Sequence, residues 1–143
     1  MSNKVGRPTR YDANMAAEIC GRLAAGESLA AICRDPSMPV QTTVYRWIGT
    51  IPEFRELYAC AREDQAETLA DQIQDLADEQ PAQVVDDKGI ARVDNGWVTW
   101  QKNRVDARKW VAAKLKPKKY GDRVTNQHEG GMTVQVLTGV PTE

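Results

Sequence analysis

Apolar residues recur at helical spacing in several separate stretches of this chain, and the polar residues between them carry start and stop signals. Met15, Ile19, Cys20 and Leu23 share one face of a first helix, with Asp12 placed as its N-cap and Gly26 as its terminator. Ser28 caps a short second helix with Leu29, Ile32 and Cys33 on one side. Asp35-Pro36 stops it, because proline lacks an N–H and disfavours helix at the residue before it. Ser37-Met38-Pro39 then leads into a third helix over about 40–49, whose buried stripe is Val44, Trp47 and Ile48.

Thr50-Ile51-Pro52-Glu53 fits a capping box with proline in the first turn and opens a long helix over about 53–79. Phe54, Leu57, Tyr58, Ala61, Gln65, Leu69, Ile73 and Leu76 keep the helical period along it, and carboxylates fill much of the rest. At 1.5 Å per residue it spans about 40 Å, more than three short helices can cover, so another element must pack on it. The break at 81–96 has turn chemistry at Asp86-Asp87-Lys88-Gly89 and Asp94-Asn95-Gly96, compatible with a short hairpin. A second long helix follows over about 97–115, and Pro117 ends it. The alternation in Gly130–Leu137 reads as a strand without a second strand near it. An isolated strand is marginal in water, which leaves pairing with the same strand of neighbouring subunits or a disordered tail. The pattern therefore predicts a mainly α chain in three parts: 1–51, a basic arm and three helices; 52–123, an antiparallel helical hairpin; and 124–143, a strand or tail.

Two short helices joined by a tight turn, the later one with a polar face, is the layout of a helix-turn-helix. Opposite the stripe of the third helix lie Thr42, Arg46 and Gly49, flanked by Thr43, Tyr45 and Thr50, with Gln41 in its first turn. Arg46 suits phosphate or guanine edges, and Thr42 and Thr43 suit phosphate oxygens or a thymine methyl. A small bundle with a solvated polar face explains the same pattern. Upstream, Lys4, Arg7 and Arg10 form a flexible cationic arm. Its Gly6-Arg7-Pro8 is similar to the centre of an AT-hook, with Val5 where an arginine is usual.

Charge changes the picture only when divided along the chain. The total over 143 residues is −1, yet residues 1–48 carry 6 basic and 4 acidic side chains, 49–80 carry 2 and 9, and 101–123 carry 9 and 2. The basic run Lys102, Arg104, Arg108, Lys109, Lys114, Lys116, Lys118, Lys119 and Arg123 reads either as a second nucleic-acid patch or as the partner of the acidic helix in the hairpin. The second reading is the simpler, with Lys116 to Lys119 left over as DNA or partner contacts. A single Phe among few aromatics and 27% charged residues limit the core, so some apolar surface calls for other chains. Candidates for that surface are Phe54, Leu57, Tyr58, Leu69, Ile73, Leu76, Val105, Trp110 and Leu115.

Three widely spaced cysteines and one histidine offer no metal set, and each cysteine reads as a small apolar residue. The chain has no membrane-length apolar run or secretory signal, which suggests an intracellular protein. It also lacks GxxxxGK[ST], HExxH and GxSxG, so neither catalysis nor a cofactor is expected.

Several blocks together resemble the small terminase subunit of tailed double-stranded DNA bacteriophages and prophages. They are Gly6-Arg7-Pro8-Thr9-Arg10-Tyr11, the run from Ser28 to Asp35, Thr43-Val44-Tyr45-Arg46-Trp47-Ile48 and Pro52-Glu53-Phe54, then Arg104 to Trp110 and Lys114 to Asp122. The resemblance spans about 6–123 and is weakest over 81–100. It implies a ring-shaped homo-oligomer in the host bacterial cytoplasm. Such a ring recognises double-stranded viral DNA at the packaging start and passes it to the large terminase subunit, the carrier of ATPase and nuclease. It also implies a peripheral DNA-binding domain, a central body built by the long helices and a small barrel of terminal strands. A dimeric helix-turn-helix transcription regulator of a phage is the competing reading.

Overall fold

A computed structural model describes residues 6–122. Its elements in chain order are α1 (Ala13–Ala24), α2 (Leu29–Ile32), α3 (Gln41–Thr50), α4 (Pro52–Asp78), β1 (Gln83–Val85), β2 (Ala91–Val93), α5 (Asn95–Leu115) and α6 (Pro117–Tyr120). Lys4 and the expected strand at Gly130–Leu137 lie outside the described residues.

The capping signals act where expected in α1 and α2. Asp12 Oδ1 accepts from the Met15 N–H at 2.9 Å, and Ser28 Oγ accepts from the Ala31 N–H at 3.1 Å. After α1 the chain reverses at Gly26, whose φ of 102° is open to glycine and strained for other residues. The long helix α4 then finishes what the turn leaves undone. Thr68 Oγ1 donates to the Ala24 carbonyl at 2.6 Å, and the buried Gln65 amide donates to the Glu27 carbonyl at 2.8 Å. The first satisfies a carbonyl of the last turn of α1 that has no partner within the helix, and the second ties the connection to α2 onto α4.

Two sequence expectations about helix ends are corrected. Thr50 does not cap α4: it is the last residue of α3, and its hydroxyl donates to the Arg46 carbonyl at 2.8 Å. Only Ile51 separates the two helices, so Thr50 is still bound to the preceding turn. Arg55 of α4 instead binds the end of α3, donating to the carbonyls of Ile48 and Gly49 at 2.9 and 3.1 Å. Likewise Asp94-Asn95-Gly96 is no loop turn. Asp94 caps α5, accepting from the Gly96 N–H at 2.8 Å.

The main core gathers Ile19, Leu23, Leu29, Ile32, Val44 and Trp47 with Phe54 and Ala61. It therefore continues past residue 51 into the first half of α4. The remainder of α4 pairs with α5 in an antiparallel hairpin. Its order is set by Gln101 donating to the Leu76 carbonyl, Arg108 to Gln72 at 2.9 Å, and Lys116 to Glu67 at 2.7 Å. At the tip, β1 and β2 pair antiparallel, Val84 opposite Arg92, around an Asp86 turn in which Gly89 has φ 75°.

Candidate nucleic-acid interface

The exposed face of α3 is built from the inside out. Trp47 points inward and meets Tyr11 and Phe54 edge-on, with ring centroids 5.3 and 5.9 Å away. With this side anchored, the opposite side presents Thr42, Tyr45, Arg46 and Gly49 to solvent, and Gln41 is half-buried at the start of the helix. Thr43 is corrected: its side chain is buried at 6% exposure. It lies close enough around the helix to Val44 and Trp47 to be drawn into the core, which removes it from the open face.

The arm is likewise not free over its described part. Arg7 Nη1 donates to the Cys33 carbonyl at the end of α2 at 2.6 Å, and Arg46 Nη2 donates to the Thr9 carbonyl at 3.0 Å. Tyr11 packs its ring against Trp47 and Phe54. A guanidinium at a helix C-terminus is favoured both by the unpaired carbonyls and by the helix dipole, which explains why the arm lies down. The result holds Arg7 at the end of α2 and places the backbone just before Arg10 against Arg46 of α3. Tyr11 and Arg55 had no chemical signal in the periodicity, because each acts through residues distant in sequence.

Near the end of α1, Arg22 binds both Glu27 oxygens at 3.0 and 2.8 Å and reaches Asp35 at 3.2 Å. The Arg22 bonds hold the Glu27 carboxyl below the usual carboxylate range. Asp35 is lowered chiefly by its backbone and hydroxyl bonds with Ser37, and by Arg22 after these. Both acids are thereby occupied, leaving Arg7, Arg10 and Arg46 without an ion-pair partner among the described residues. Burial pushes the Cys20 thiol up to about 11 and also raises Cys33, so both behave as apolar core atoms.

The amino-acid sequence matches the family "Bacteriophage Sf6, terminase small subunit-like" over residues 11–127. The chain belongs to this terminase small subunit family. Three solved structures of the terminase small subunit gp1 of the bacterial virus Sf6, each with a different single substitution, share its fold. The first is 36% identical with a TM-score of 0.68, covering 95% of this chain and 98% of that one. The other two are 36% and 35% identical, each with a TM-score of 0.67 and the same coverage. No curated protein matches.

The apolar residues expected at an assembly surface differ in how far their own chain covers them. Phe54, Leu69 and Leu76 are 0%, 8% and 5% exposed, enclosed by their own chain. They are corrected as assembly surface, because intramolecular packing already covers them. Tyr58, Ile73, Val105 and Leu115 are half-buried. Leu57 and Trp110 remain open, at 43% and 64%. Of the basic run, Arg104 pairs with Glu79 at 3.3 Å, and Lys116 and Lys119 converge on Glu67 at 2.7 and 2.6 Å. The hairpin thus neutralises part of the acidic helix; Asp64, Asp71, Asp75 and Asp78 have no ion pair among the described residues.

Proposed function

We propose that this terminase small subunit is a non-catalytic DNA-binding protein that assembles as a ring, recognises viral DNA at the packaging start and recruits the large terminase subunit. The observation that carries the reading is the basic arm laid along the helices, Arg7 bound to the end of α2 and Thr9, next to Arg10, bound to Arg46, with Thr42, Tyr45 and Arg46 of α3 open to solvent. In this reading the unit is a helix-turn-helix and α3 enters the major groove, with Gln41, Thr42, Tyr45 and Arg46 at its surface. Lys4, Arg7 and Arg10 supply backbone or minor-groove contacts. A single copy with few phosphate contacts binds weakly. A ring holds many copies at high effective concentration along bent or wrapped DNA and multiplies that affinity.

The test is a salt titration of DNA binding beside native mass measurement. Arg46→Ala and Arg7→Ala should each weaken binding and flatten its logarithmic salt dependence by about one, as expected for loss of one phosphate contact, with assembly intact. Unchanged binding in both variants overturns the interface. A simple dimer in the native spectrum favours the operator-binding regulator. Residues 124–143 are assigned to contacts beyond DNA: deleting 130–143 should spare DNA binding and reduce stimulation of the large subunit or the order of the ring.

A further inference from the structure

Trp110 stands on the side of α5 facing away from α4. At about 100° per residue it lies opposite Gln101 and Arg108, the side chains that bind α4. It is 64% exposed, and Lys114 lies over it with the ammonium 5.6 Å from the ring centroid. An open tryptophan of this kind is costly to leave in water and is characteristic of the centre of an interface.

A complementary recess exists on a different surface. Between α1 and α4 lies a groove of about 230 Å³ walled by Ala17, Gly21 and Ala24 on one side and Leu57, Cys60 and Asp64 on the other. No α5 residue lines it. Small side chains leave its floor open: a Cβ added at Gly21 would meet nothing within 4 Å. The Asp64 carboxylate at its edge has no ion pair among the described residues, and Asp71, Asp75 and Asp78 continue the acidic side of α4.

We propose that Trp110 of one copy of this chain enters the α1–α4 groove of the next, bringing Lys114 onto Asp64. The inference deepens the ring reading and rests on it. Three features select a second copy as occupant: an apolar projection and an apolar recess on one molecule, a cation beside the first, and an anion beside the second. Because projection and recess lie on different surfaces, the contact is head-to-tail, the kind that closes into rings; a tryptophan facing its own symmetry mate would give dimers.

Cys60 provides the test, since it is exposed within the groove while Cys20 and Cys33 are buried. In full-length Trp110→Cys the contact is weakened by loss of the indole but can be trapped covalently, so mild oxidation should yield a ladder of disulfide-linked species above the dimer, and adding Cys60→Ser should abolish it. Gly21→Leu, whose Cβ would meet nothing within 4 Å and whose side chain occupies the groove, should keep the melting temperature and shift the assembled species to monomer. A dimer band that persists in Trp110→Cys/Cys60→Ser shows the tryptophans facing each other and overturns the contact. So does an unlinked Trp110→Cys ring, or an intact Gly21→Leu ring; in both, the ring reading survives. A wild-type chain that does not form a ring overturns both.

Discussion

Arg7 and Arg46 each donate a hydrogen bond to a backbone carbonyl within their own chain, and each keeps further N–H groups for a ligand. Their replacement therefore loosens the arm as well as removing charge, and Lys at either position should restore less than full binding because it lacks the planar fork. Gly26 acts through backbone geometry alone. Gly26→Ala would have to adopt φ near 102° with its Cβ 3.0 Å from the Gln72 amide, so it should cost about 1 kcal/mol and lower the melting temperature by a few degrees, measured calorimetrically. Phe54→Ala should cost about 3–5 kcal/mol, since Phe54 is fully buried between Trp47 and Tyr58. Periodicity correctly marked Phe54 as apolar and inward, but an inward residue on a long helix has several possible partners. Only the packing shows that they belong to its own chain.

At the scale of elements, the junction of α4 with α6 has a pH dependence of defined sign. Lys116, Lys119 and the Tyr120 hydroxyl all donate to the Glu67 carboxylate and hold its pKa at about 2, below its ordinary 4.5. A depressed folded-state pKa stabilises the fold above the ordinary value, and the contribution disappears as pH falls from 4.5 towards about 2. The carboxylate is partly solvated, so the effect is local: amide exchange in Lys116–Tyr120 should accelerate over that interval in the wild type and become pH-independent in Glu67→Gln once intrinsic exchange is subtracted. The helix starts at Asp12 and Ser28 were legible because an N-cap is a contact between residues three apart. Ser28→Ala should cost about 1 kcal/mol in denaturant unfolding. The start of α4 was misread because Thr50 has two available backbone partners, and α3 claims it.

On the scale of the whole molecule, the near-neutral total charge combines an acidic and a basic helix that only partly neutralise each other within one chain. Glu67 of α4 and Glu79 just beyond its end are the carboxylates that pair with α5 and its exit, while Asp64, Asp71 and Asp75 remain exposed, as do Lys109 and Lys114. If these opposed charges meet between copies, assembly weakens as salt screens them. The average assembled mass should then fall between 0.1 and 1 M salt (about 10 to 3 Å in Debye length), measured by light scattering; a salt-insensitive mass would argue for a purely apolar interface.

The succession of helices, the caps of α1 and α2, the break before α5 and the need for a partner along α4 were all determined by the sequence alone. Each follows from interactions within a turn or two, or from the length of an apolar stripe. What only the tertiary structure decided is which polar and apolar groups remain open after the chain has covered itself. It buried Thr43, enclosed Leu69 and Leu76, laid the arm against α2 and left Trp110 in solvent. Those outcomes depend on competition among residues far apart in sequence for the same surface, and such competition has no period along the chain.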